Sequence, residues 1–106
     1  MAWLILLLAG LTEIAWAVGL KRSDGFTRLG WSVWSVTNMV LSLVLLTRAL
    51  RDIPLGTAYA VWTGIGAAGT GLLGIVLFGE PFTAARLICI ALIIAGIAGL
   101  RVLAPG

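Results

Sequence analysis

Four apolar runs of about 20 residues, parted only by short polar breaks, leave this chain few ways to fold. A helix of that length crosses about 30 Å of hydrocarbon, so each run is read as a membrane span. The runs cover residues 2–20, 30–48, 55–78 and 84–103 approximately. The first ends in "KRSDGFTR", the second in "RALRDIPLG", where Arg51, Asp52 and Pro54 break the pattern, and the third in "GEP". Thr83 stands where the fourth helix needs an N-cap. Loops this short make consecutive helices antiparallel neighbours. The expectation is an all-α integral membrane protein, with residues 1–106 forming a single four-helix unit. The first run lacks a basic leading segment and three comparable runs follow it, so it is read as mature structure rather than a signal peptide.

Composition narrows the chemistry. Of 106 residues, 61% are hydrophobic and 10% charged, more apolar surface than a water-soluble domain of this size can hide. One Cys and no His exclude a disulfide framework, the usual zinc sites and catalysis by a His base. No metal site, cofactor or enzyme activity is expected, since a lone buried acid has no nucleophile–base pair to work with. The basic residues sit near the ends of the runs, as interfacial anchors rather than a nucleic-acid surface. Arg48, Arg51 and Arg101 fall on the side of the N-terminus, and Lys21, Arg22, Arg28 and Arg86 on the other. Three against four is too even to set an orientation. Either the count is noise in a small protein, or copies insert both ways and pair antiparallel.

One carboxylate, Glu13, interrupts the first span in "AGLTEIAWAVGL". Charges at the centre of a span cost roughly 2.5–3.5 kcal/mol on insertion scales, and no Lys or Arg lies at comparable depth in any run. An acid without a counter-ion there can hold a proton, or a cation from outside. Gly10, Glu13, Trp16 and Ala17 share a helix face. On the second span Ser35, Asn38 and Ser42 form a polar stripe. Ser35 and Asn38 read first as interhelical hydrogen-bonders, with Asn38 kept as a polar candidate for a pocket. Ser42 reads equally as a hydroxyl that orients Glu13.

Trp3, Trp31 and Trp34 are belt aromatics at span ends. Tyr59 and Trp62 lie deeper, three residues apart, where ring faces can attract a cation. Gly64, Gly66, Gly69, Gly71 and Gly74 read as close helix packing or as a bend at Gly64–Ile65–Gly66. The stretch "LICIALIIAGIAGL" of the fourth span offers small residues and no polar group, a contact surface in which Cys89 packs. Glu80, before Pro81 in the last loop, reads as solvated.

"GLTEIAWA", "LKRSDGFTRL" and "PLGTAYAVWTGIGA", with the length and four spans, resemble the small multidrug resistance transporters across essentially the whole chain. The resemblance implies an antiparallel, dual-topology homodimer in the cell inner membrane that exchanges protons for small organic cations by alternating access. Trp16, one turn after Glu13, is similar to the family's guanidinium exporter subtype. Glu13 then corresponds to the shared proton and substrate carboxylate. Gly10, Trp16, Ser42, Tyr59 and Trp62 correspond to its surroundings, and Gly64 and Gly66 to a bend in the third helix. Cys89 and Gly96 stand where the family commonly has two dimer-packing glycines. The alternatives are the same exchange with quaternary ammonium or polyaromatic cations, a passive ion channel, and a non-transporting membrane adapter.

Overall fold

The computed structural model describes residues 1–103, and these form four helices. They are α1 (Ala2–Arg22), α2 (Leu29–Ala49), α3 (Leu55–Phe78) and α4 (Ala84–Leu103). All are long and apolar enough to cross a membrane. Helix α1 continues two residues past the apolar run, because Lys21 and Arg22 are favoured in a last turn by the helix dipole. Helix α3 ends at Gly79, whose φ of 64° places it in the left-handed region, and Glu80 N donates to the Gly74 carbonyl at 3.2 Å. That closure suits a residue without a side chain. Thr83 caps α4: its Oγ1 accepts from Arg86 N at 3.2 Å.

The helices stand in a row, α2–α1–α3–α4, rather than a closed bundle. Helix α1 packs on α2 and α3, α4 packs on α3, and α2 and α3 touch little. The result is a slab of 43 × 34 × 17 Å. Large apolar side chains cover its faces: Leu4, Leu11, Val40, Val44, Ile88 and Leu92 are among the exposed ones. Surfaces of that kind are stable against lipid and not against water.

Two features position the site. The buried apolar cluster of Leu6, Ala9, Leu46, Ala49, Ile53, Ala58, Val61 and Trp62 gathers at one end, where α1 and α3 begin and α2 ends. Small residues then let the central helices approach. Ile65 of α3 occupies the space a side chain at Gly10 would need. Ile14 of α1 likewise fills the space beside Gly69. Gly64 and Gly71 point the other way, against Ile97 and Ile90 of α4. The glycine run thus serves close packing on two sides of α3, which passes through Gly64–Ile65–Gly66 as one uninterrupted helix.

Candidate functional site

Glu13 lies on α1 at the α3 interface, half-buried, with its carboxyl group against the Cα of Gly66. A Cβ at Gly66 would overlap that carboxyl, so the glycine is the notch that seats it. Among the described residues, Oε2 of Glu13 is buried with no hydrogen-bond partner. One turn on, Nε1 of Trp16 is buried and equally without a partner. A bare acceptor and a bare donor thus stand three residues apart on α1, in its membrane-spanning stretch. Each such group normally finds a partner when buried.

The polar stripe of α2 divides by role. Ser35 Oγ donates to the Trp16 carbonyl at 2.9 Å, and Trp34 Nε1 donates to the Ala15 carbonyl at 2.9 Å. Both fix α2 on α1 just beside Glu13. Ser42 Oγ is fully buried, donates to the Ala9 carbonyl at 2.7 Å, and accepts from Trp62 Nε1 at 2.9 Å. Its proton is spent on α1's backbone, so within this chain it orients Trp62 rather than Glu13. Asn38 Nδ2 donates to the Trp34 carbonyl of its own helix, at 2.9 Å, and bridges to no other helix.

Trp62 is buried in the apolar cluster, while Tyr59 is 54% exposed, its ring 5.6 Å from that of Trp62 and tilted by 56°. The pair gives one tethered ring and one free to meet a second molecule. Gly10 is buried under Ile65. Cys89 and Gly96 are exposed on α4, and nothing approaches Gly96. Glu80 is exposed but not merely solvated: Oε1 accepts from Arg86 Nη2 at 2.8 Å, and the carboxyl folds over Gly74.

Two groups were out of reach of sequence reasoning. The Ala9 carbonyl has no side-chain signature. Gly66 as a carboxyl seat was hidden among five glycines, although Ala58, Trp62, Gly66 and Gly69 do share one face at helical spacing.

Ser42→Ala should destabilise the chain by about 1–3 kcal/mol, the cost of leaving the buried Trp62 N–H without an acceptor. That exceeds the roughly 0.6 kcal/mol typical of interhelical hydrogen bonds in membranes. Thermal unfolding in detergent measures it, and an unchanged midpoint would count against the bridge.

The family described as Small Multidrug Resistance protein matches residues 1–93. The guanidinium exporter of Salmonella typhimurium strain LT2 is 54% identical over 101 residues, covering 95% of this chain and 96% of that protein. The guanidinium exporter of Yersinia pseudotuberculosis is 55% identical over 101 residues, covering 95% and 97%. That of Citrobacter freundii is 52% identical over 101 residues, covering 95% and 96%.

Proposed function

Because this chain belongs to the small multidrug resistance family, we propose that it exports guanidinium and small guanidinyl cations across the cell inner membrane in exchange for protons. The observation that carries this reading is the unpartnered Glu13 oxygen together with the unpartnered Trp16 indole N–H one helical turn on. Guanidinium is planar and donates two parallel N–H bonds to one carboxylate. Its faces are weakly hydrated and stack on aromatic rings. In the proposed site Trp16, Tyr59 and Trp62 supply such rings.

The functional unit is an antiparallel homodimer of copies inserted both ways. The row of helices leaves α1 open on one face, and a second copy placed over it brings two Glu13 carboxyls to one site. Helix α4, with Cys89 and Gly96 on its exposed surface, provides contact between copies. Two carboxylates in a dry site do not comfortably remain ionised together, so protons or a cation must occupy them. Protons entering from one side displace the cation to the other, and an empty, doubly charged site is too costly to cross. The inverted pair supplies the symmetry that alternating access needs, with α3 flexing at Gly64–Ile65–Gly66.

Purified protein in liposomes, loaded under a pH gradient with guanidinium in one set and a quaternary ammonium dye in another, tests the proposal. Guanidinium uptake should be pH-driven and the dye excluded, because the Trp16 indole narrows the site beside Glu13. Dye uptake with no guanidinium uptake would replace the cargo and keep the exchange. Current independent of the pH gradient would make the protein a channel.

A further inference from the structure

The largest side chains of the buried apolar cluster gather at one end of the row, and a cation ties the other. The guanidinium of Arg22, the last residue of α1, lies 5.4 Å from the ring centre of Trp31 and 5.2 Å from that of Phe78. Trp31 sits near the start of α2 and Phe78 is the last residue of α3. One cation between two rings therefore joins the ends of three helices, including α2 and α3, which otherwise touch little. Gly71 faces Ile90 of α4, Gly74 is covered by Glu80 of its own loop, and Val76 is 75% exposed.

We infer that Arg22, Trp31 and Phe78 form a latch that holds the outer half of α3 in the conformation seen here and releases it when α3 flexes. This rests on the bend at Gly64–Ile65–Gly66 in the proposed exchange cycle. The lever arm makes the latch sensitive. Phe78 lies twelve residues beyond Gly66, a helical distance of about 18 Å, so a bend of roughly 10° carries its ring about 3 Å. Cation–π attraction is confined to about 6 Å from the ring centre, so a movement of that size away from Arg22, starting at 5.2 Å, breaks the contact. Arg22 is thus a positioning residue, acting through Phe78 at a distance from Glu13. In an antiparallel pair one copy's latch must break as the other's forms, which places its opening on the path between the two access states.

The test uses the full chain in lipid bicelles, with the rate of conformational exchange along residues 70–78 read by NMR relaxation. Guanidinium binding and liposome turnover are measured on the same variants. Arg22→Ala and Phe78→Leu should each speed exchange about threefold to tenfold. The double variant should be no faster than either alone, and Arg22→Lys, which keeps a cation over the rings, should stay close to the parent. Binding of guanidinium should be unchanged while turnover rises, a shift in kcat without one in KM. Exchange that is absent from α3 in the parent, unchanged in both single variants, or additive in the double would overturn the latch. Should Arg22→Ala fail to fold, Phe78→Leu alone carries the comparison. A parent that exchanges in α3 yet takes up no guanidinium refutes the cargo reading, and the exchange rates still decide the latch.

Discussion

Glu13→Gln abolishes pH-driven guanidinium uptake while the protein still inserts and folds. Gln keeps the shape and most of the contacts against Gly66, so packing along α1 and α3 survives. What it removes is the charge. Taking away one partner of a buried ion pair costs about 3–5 kcal/mol, which is roughly 150- to 5,000-fold in cation affinity. Nor can the amide take up and release a proton within the working pH range, so exchange loses both of its cargoes at once. Uptake into liposomes measures the loss, and calorimetric titration of guanidinium in detergent separates failed binding from failed movement. Robust pH-driven uptake by this variant would remove Glu13 from the role assigned to it.

Gly66→Ala should cost at least about tenfold in uptake, through a single methyl group placed where the Glu13 carboxyl now rests. Helix propensity argues the opposite sign, since Ala in a helix interior is favoured over Gly by about 0.8–1.0 kcal/mol. Overpacking a close contact costs about 1–3 kcal/mol, and the carboxyl has to turn away from its seat to relieve it. The second effect is the larger, and it falls directly on the exchanging group. Gly56→Ala is the control, because nothing lies within 4 Å of a side chain there. That variant should transport like the parent. Equal loss from both substitutions would mean that general helix stiffness matters and the seat does not.

The four spans were legible because hydrophobic length and charge placement act locally along the chain. Lys21 and Arg22 end α1, Arg51, Asp52 and Pro54 end α2, Gly79 closes α3, and Thr83 opens α4. The position of Glu13 was legible for the same reason, as a lone charge in the middle of an apolar run. The hydroxyls were only half legible. Ser35 and Ser42 share a stripe at helical spacing, but which backbone carbonyl each would find depends on how α2 slides against α1, and both found α1 carbonyls.

Sequence by itself determined that the chain is four apolar helices with one acid at mid-depth, because the cost of exposing a peptide or a charge to hydrocarbon is a property of each segment alone. Tertiary structure alone decided that the helices stand in a row, that Gly66 and not another of the glycines receives Glu13, and that Arg22 lies between Trp31 and Phe78. Those outcomes rest on the rotation and offset of one helix against another. Lipid is as apolar as the side chains facing it, so the choice falls to the fit of small residues and a few polar bonds, and these exist only once the helices meet.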